Sequence, residues 1–371
     1  LYVVKNPIND IYQLSIQYHY GLFADADLQI LAYLLDYAHP EGKSNKEFKK
    51  EISLLGSTYY FDAGSNYFTL HLSGIEKNMA LVLTKLNELM TNPQVSEKDF
   101  KIVVNRIKTE RKGEKEEPFE IARALAQYGI YGENSIVKNR SSAKEISKMN
   151  YLDIIAKLNT IKKHRSSIHF SGKMESKKIA NIIRTNYDLA KNGPSLVPFY
   201  APTVERDHNE ILLLNNKKVV QSNIFLIKNS TSFDAKNYPV KNLFNTYFSG
   251  GFSGILTQEI REYRSLAYSS SAKYQFNFNP KLKSYFYTYI GCQADKTNES
   301  IELAYDLINN LPEKPERMDM VRSSVKLSQS AEFPNFRNIS SEVEALKIKG
   351  FKKDPNIESN KFYNSLKFED I

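Results

Sequence analysis

The sequence has almost no cysteine, since Cys292 is alone among 371 residues. This excludes a disulfide within the chain and a metal site built from cysteines. Because no histidine lies close to Cys292 in sequence, we expect a buried, inert thiol. The sequence also lacks any run of 18 apolar residues, so we expect no helix that spans a membrane. With 41% hydrophobic residues, the chain can still form a sizeable core.

Histidine is scarce as well, and its spacing forms no metal site. No pair of histidines follows the H-x-x-x-H or H-x-x-E-H pattern, which would place two zinc ligands on one face of a helix. The serine, aspartate and glutamate residues do not converge on an evident catalytic centre either. From the residues alone we predict no zinc site with three protein ligands. The six histidines are His19, His39, His71, His164, His169 and His208.

The net charge of +9 and the pI near 9.1 would suit a protein that binds nucleic acid. The charges are mostly interleaved, however, as in "KTERKGEKEE" (108–117). Runs in which lysine alternates with glutamate are typical of solvated helix faces. We therefore expect no nucleic-acid partner.

Two parts of the sequence repeat one pattern. Residues 65–93 and 283–315, which align at an offset of 218, each contain an aromatic strand, a glycine-containing turn and a leucine-rich helix ending near a proline. Residues 12–38 and 221–250 form a second pair, each an alternating strand followed by a turn and an amphipathic helix. We predict an α+β protein of two repeated modules, each an antiparallel sheet with helices packed on one face.

The boundaries of these modules follow from a proline-containing segment. We predict a first module over residues 1–190, a linker over 191–207 and a second module over 208–371. The first module ends in a predicted strand at 166–172, and the offset puts its counterpart beyond Ile371. The second module is therefore expected to be truncated. Since the first residue is not Met, we also expect a piece of a longer chain, with any signal peptide removed or outside it.

A glycine-rich stretch, "YFSGGFSGILTQEIREYRSLAYSSSAKYQF" (247–276), is the main candidate for function. It lacks the lysine of a phosphate-binding P-loop and the spacing of a dinucleotide fingerprint. Gly250 and Gly251 are expected to form a turn, and Ser253 to cap the helix that follows.

That helix should end at Arg261, and the next strand should begin at Tyr268, so both side chains would lie at one end of the module. They could donate hydrogen bonds to a substrate carbonyl or oxyanion. Taken alone, the spacing favours a surface arginine and a half-buried strand tyrosine over such a role.

The segment "FSGGFSGILTQEIREYRSLAYSSSA" resembles a signature of the pitrilysin/insulinase zinc metallopeptidases. "EFKKEISLLGSTYYFDAGSNYFTLHLSG" and "YIGCQADKTNESIELAYDLINNLP" are similar to further segments of that family, so the resemblance covers nearly the whole chain. The duplicated domains of the family would account for the internal repeat.

Active members of this family carry H-x-x-E-H, in which the histidines bind zinc and the glutamate polarises a water molecule. The corresponding residues here are "YLLDY": Tyr33 and Tyr37 replace the histidines, and Asp36 replaces the glutamate. A third metal ligand would fall near Glu110 or Glu114. The resemblance therefore implies no zinc in this chain, no catalytic residue in this chain alone, and zinc in the catalytic half, whether fused or separate.

The departure from the zinc motif resembles the non-catalytic half of such enzymes. In the family, two halves close around a peptide, and the half without zinc supplies an arginine and a tyrosine seven residues apart. Arg261 and Tyr268 match that pair, which implies that they bind the substrate and support the transition state. The implied partners are a peptide substrate and a zinc-bearing N-terminal half or partner subunit.

Three expectations remain open at this stage. The chain could be the C-terminal half of a longer peptidase, a separate non-catalytic subunit, or a structural relative without proteolytic role. Because bacterial members are often exported, a periplasmic location is favoured over a cytoplasmic one.

Overall fold

Strands and helices alternate along the computed structural model, which describes residues 1–197, 201–216, 219–331 and 334–371. The strands are β1 (Tyr2–Lys5), β2 (Ile11–Tyr18), β3 (Ser57–Ala63), β4 (Phe68–Ile75), β5 (Ser166–Gly172), β6 (Gln221–Ser232), β7 (Ala267–Gln275) and β8 (Lys283–Gln293). The helices are α1 (Leu28–Leu35), α2 (Asn45–Leu54), α3 (Met79–Thr91), α4 (Glu97–Glu116), α5 (Pro118–Tyr131), α6 (Ile136–Asn139), α7 (Ala143–Ile146), α8 (Tyr151–Lys163), α9 (Ser176–Asn186), α10 (Tyr238–Ser249), α11 (Ile255–Thr257), α12 (Thr297–Asn309), α13 (Met318–Ala331), α14 (Ile339–Ile348) and α15 (Pro355–Asn360).

The chain divides into two compact units, and neither is continuous in sequence. The first comprises Leu1–Gly113, Ile136–Tyr200 and Pro334–Glu344. The second comprises Glu114–Ser135, Ala201–Phe333 and Ala345–Ile371. Residues 198–200, which belong to the predicted linker, lie outside the described residues.

The first unit contains a sheet in the strand order β1-β5-β2-β4-β3. Strand β2 is antiparallel to both β4 and β5, whereas β1 pairs with β5 in parallel, an arrangement that the alternating pattern did not reveal. Helix α1 contributes Leu28, Leu31 and Leu35 to the core; their spacing of three and four residues places them on one helix face, and all are fully buried.

The second unit contains a three-stranded antiparallel sheet in the order β6-β8-β7. This order repeats β2-β4-β3 of the first unit, and in both units a helix follows the first strand of the set. Among the described residues of the second unit, no strand corresponds to β5. The predicted α+β class, with antiparallel sheets and packed helices, is confirmed.

The core of the second unit lies between one face of its sheet and the helices. Helix α10 provides Leu243 and Phe248, and β8 provides Ile290 and Cys292. Cys292 is a free, fully buried thiol, as predicted. Among the described residues, no helix is long and apolar enough to cross a lipid bilayer.

Candidate functional site

Arg261 and Tyr268 line the same open pocket of the second unit, which has a volume of about 330 Å³. Arg261 lies in a π-helical turn, Gln258–Glu262, that continues α11. Tyr268 is the second residue of β7. Both side chains were predicted to lie at one end of the module, and the structure places them in the lining of one pocket. The pocket is lined by Thr257, Arg261, Tyr268, Ser269, Ser270, Ser271 and Tyr289.

The lining of this pocket is polar but carries no carboxylate. Apart from the Arg261 guanidinium, each of its side chains ends in a hydroxyl group. A guanidinium supplies only donors, and a hydroxyl can donate or accept. The pocket is therefore suited to a ligand that offers carbonyl or carboxylate oxygens.

The functional groups of Arg261 and Tyr268 are open to solvent. The Arg261 side chain is 46% exposed, with Nε 3.4 Å from a carboxylate oxygen of Glu262. Its guanidinium lies 5.5 Å from the ring centre of Phe252, which is itself exposed. Tyr268 is 57% exposed. Both groups can therefore reach a bound molecule without first losing a buried partner.

The glycines before this site make a close turn possible. Gly251 has a φ of +60°, a conformation that side chains disfavour. A Cβ on Gly250 would lie 2.2 Å from the carbonyl oxygen of Thr246. The predicted turn at Gly250 and Gly251 is thus present, but the predicted cap is wrong. Gly254 holds the N-cap position of α11, and Ser253 instead donates its hydroxyl to the Gly250 carbonyl.

The residues predicted to align with the zinc motif, Tyr33, Asp36 and Tyr37, lie on and just after α1 in the first unit. The Tyr33 hydroxyl donates to the Glu110 carboxylate, with oxygen distances of 3.1 and 3.2 Å. The Arg106 guanidinium lies 3.6 Å from the centre of the Tyr33 ring, and Arg106 Nε donates to Glu110 at 2.9 Å. Burial, followed by the charge of Glu110, raises the pKa of Tyr33. Glu110 was expected near the third metal ligand. Its carboxylate is instead bound by the Arg106 guanidinium and the Tyr33 hydroxyl.

The side chains at the other two motif positions also have partners within the protein. Asp36 accepts a hydrogen bond from Lys49 at 2.8 Å, and Tyr37 packs against the core. A neutral phenol is a poor zinc ligand, and the Arg106 cation would repel a metal ion at this place. The residues at these positions therefore do not fit zinc. Across the part of the chain that the structure describes, no group of three or more His, Cys, Asp or Glu side chains could hold a metal ion.

A buried polar cluster in the first unit was missed by the sequence reasoning. Ser167 donates to Glu344, and His169 Nε2 lies 3.1 Å from the other carboxylate oxygen. His19 contacts Ser167 at 2.8 Å and Ser195 at 2.6 Å. Burial alone would raise the pKa of Glu344, but hydrogen bonds from His169 and Ser167 and nearby histidine charges lower it overall. Because 177 and 175 residues separate Glu344 from Ser167 and His169, no local pattern could have revealed the cluster.

Comparison with known proteins shows what this chain is similar to. Residues 160–324 match the family model of the peptidase M16 inactive domain. An uncharacterized zinc protease of Streptomyces coelicolor is 19% identical over 281 residues, which cover 73% of this chain and 60% of that protein. The chain thus spans less than two thirds of the length of this relative.

Solved structures share the fold over almost all of the chain. The peptidase M16 inactive domain of Pseudomonas fluorescens has a TM-score of 0.76 at 16% identity, covering 99% of this chain and 89% of its own. The periplasmic protease PqqL of Escherichia coli has a TM-score of 0.75 at 15% identity, covering 98% of this chain and 41% of its own. The predicted resemblance to the non-catalytic half of the pitrilysin/insulinase (M16) peptidases is confirmed by the family model over residues 160–324 and by the shared fold.

Proposed function

We propose that this chain is the substrate-binding, non-catalytic half of a zinc-dependent peptidase. The observation that carries the proposal is the shared pocket, in which Arg261 and Tyr268 present solvent-exposed donors among hydroxyl groups. Hydrolysis of a peptide places negative charge on the carbonyl oxygen, and donors fixed in advance stabilise that charge. Zinc and the attacking water would come from a partner half, fused or separate, and the two halves would enclose the peptide.

The two residues have distinct roles in this proposal. The guanidinium of Arg261 offers two donors in one plane and can bind a backbone carbonyl or carboxylate of the peptide. The Tyr268 hydroxyl offers one donor, which can point at the same oxygen or at its neighbour. Neither residue activates water, so the chain alone should not cleave peptides.

The test is cleavage of a quenched, unstructured peptide by the natural protein, with its zinc-bearing half fused or co-purified. We expect Arg261→Ala and Tyr268→Phe each to lower kcat/KM by about tenfold or more, as with the loss of one donor to an oxyanion. The matched controls are Arg264→Ala and Tyr263→Phe, because Arg264 pairs with Glu259 and neither residue lines the pocket. The controls should remain within about twofold of the wild type.

Two outcomes would overturn the proposal. If Arg261→Ala and Tyr268→Phe cleave as fast as the wild type, the pair does not bind the substrate. If the wild-type assembly binds no zinc and cleaves no peptide, the chain is a structural or partner subunit of the same fold.

We also propose a periplasmic location, supported by the fold shared with PqqL, which is described as periplasmic. Fractionation of the source cells with an antibody to this chain tests it, and recovery with cytoplasmic markers alone would refute it.

A further inference from the structure

Tyr268 is placed by an irregularity in the pairing of β7 with β8. Ala267 pairs with Cys292 and Ser269 with Gly291, so two steps along β7 correspond to one step along β8. Tyr268 is the extra residue and has no partner in β8. Such a bulge re-aims a side chain and increases the local twist. The exposed position of Tyr268 over the pocket follows from this bulge.

Gly291 provides the space beside the bulge. A Cβ on this residue would lie 2.9 Å from the Tyr289 hydroxyl oxygen and 3.4 Å from the Tyr268 hydroxyl oxygen. Two tyrosine hydroxyls therefore lie above the Cα atom of Gly291. Heavy atoms do not approach a real Cβ to 2.9 Å without a shift, so any other residue here would displace at least one of the two.

Tyr289 has little freedom to move away. Its hydroxyl donates to Asn223 Oδ1 at 2.9 Å. Its ring lies between Phe225 and Phe119, with centroid distances of 5.1 and 5.2 Å. Asn223 pairs with Gly291 across the sheet, so the Tyr289 side chain runs diagonally over the glycine. The proton of the Tyr289 hydroxyl is thereby committed to Asn223.

We infer that Gly291 is a positioning residue for Tyr268. Tyr289, held by its hydrogen bond to Asn223, lies beside the Tyr268 hydroxyl and keeps it in place. This inference rests on the proposed function, because the position matters only if Tyr268 donates to the substrate. The absence of a side chain at Gly291 leaves the Tyr268 hydroxyl directed into the pocket. An added methyl group would have to displace the Tyr289 hydroxyl, which Asn223 restrains, and we expect the Tyr268 hydroxyl beside it to shift as well.

The test is a set of variants of the natural, zinc-containing assembly, assayed for kcat and KM separately. We expect Gly291→Ala to lower kcat by about tenfold, since a misplacement of about 1 Å is costly in catalysis, with little change in KM. Gly291→Ala should add no further loss to Tyr268→Phe. Gly291→Ala should cost less kcat in a Tyr289→Phe background than in the wild type, because Tyr289→Phe removes the atom nearest to the new methyl group. Gly113→Ala is the matched control, since a Cβ there meets nothing within 4 Å.

The outcomes separate this inference from the proposed function. If Tyr268→Phe is impaired but Gly291→Ala is not, the inference fails and the proposed function stands. The inference also fails if the two losses multiply, because a merely structural defect is independent of the Tyr268 hydroxyl. If Tyr268→Phe and Arg261→Ala are both fully active, the proposed function itself fails. Should Gly291→Ala not fold, Asn223→Ala is tested instead. A loss of kcat that vanishes in the Tyr268→Phe background supports the role of Tyr289 in holding Tyr268, and a loss that persists refutes it.

Discussion

Tyr33 in the first unit and Tyr268 in the second present their hydroxyl groups to different surroundings. The Tyr33 hydroxyl donates to Glu110, and its ring is covered by the guanidinium of Arg106. Tyr268 stands in an open pocket beside Arg261, and more than half of its surface is exposed. Polar groups that satisfy one another contribute to the fold, whereas groups left open to solvent are available to a ligand.

At the positions that align with the zinc motif, Tyr33, Arg106 and Glu110 form a small network of hydrogen bonds and one charge pair. In the pocket, by contrast, the donors are exposed on a strand and a helical turn. Substitutions in the pocket should therefore change activity, whereas substitutions at the positions that align with the zinc motif should change stability.

Among the further substitutions that test this difference, Arg261→Lys should have the largest effect. Lysine keeps the charge but lacks the planar pair of donors, so we expect kcat/KM of the assembled enzyme to fall by about tenfold. Arg264→Lys is the control, because Arg264 pairs with Glu259 outside the pocket lining. Equal activity of the two variants would mean that Arg261 acts only as a point charge, and the difference between the two regions would be smaller than proposed.

The placement of Arg261 and Tyr268 at one end of the module could be predicted, because the two residues are close in sequence. A helix that ends, a short turn and a strand that begins fix the relation of residues only seven apart in sequence. The sequence could not predict that Tyr289 and Gly291 belong to the same site. Their place beside Tyr268 depends on the register of β8 with β7 and on a bulge. Sequence alternation identifies which strand residues share a face, but it does not reveal the register between two strands.

The predicted Ser253 cap failed for a related reason. Serine favours the N-cap position, but a short turn over Gly251–Ser253 moves the start of α11 to the next residue, Gly254. The parallel pairing of β1 with β5 was also out of reach, since more than 150 residues separate the two strands. Local patterns thus predicted the elements, and the distant pairings came only from the structure.

The buried cluster at Glu344 sharpens the comparison, because its polar groups are also bonded to one another inside the protein. We expect Glu344→Gln to lower the free energy of unfolding by about 1–2 kcal/mol near neutral pH, because charge-assisted hydrogen bonds to Ser167 and His169 are weakened. Cleavage should be unchanged. Urea unfolding of both proteins across a pH series measures the difference.

The pH dependence of that difference has a definite sign. The pKa of Glu344 in the folded protein lies below its ordinary value of 4.5. The stabilisation is therefore present above that value and is lost as the pH falls through the folded pKa. Burial lowers the pKa of His19 and the charge of Glu344 partly offsets this, so below the ordinary pKa of 6.5 His19 destabilises the Glu344→Gln variant more than the wild type. The gap between wild type and variant should narrow only in acid; a gap that stays constant would show that the Glu344 charge contributes nothing.

The smallest effect should come from Glu110→Ala, which removes the shared partner of Tyr33 and Arg106. Because Arg106 and Glu110 are each nearly half exposed, we expect the free energy of unfolding to fall by only about 0.5–1 kcal/mol, with cleavage and zinc content unchanged. Glu97→Ala is the control on the same helix, since Glu97 pairs only with the exposed Lys101 among the described contacts. A loss of cleavage or of bound zinc in Glu110→Ala would show that the residues aligned with the zinc motif take part in the chemistry. The proposed difference between Tyr33 and Tyr268 would then be wrong.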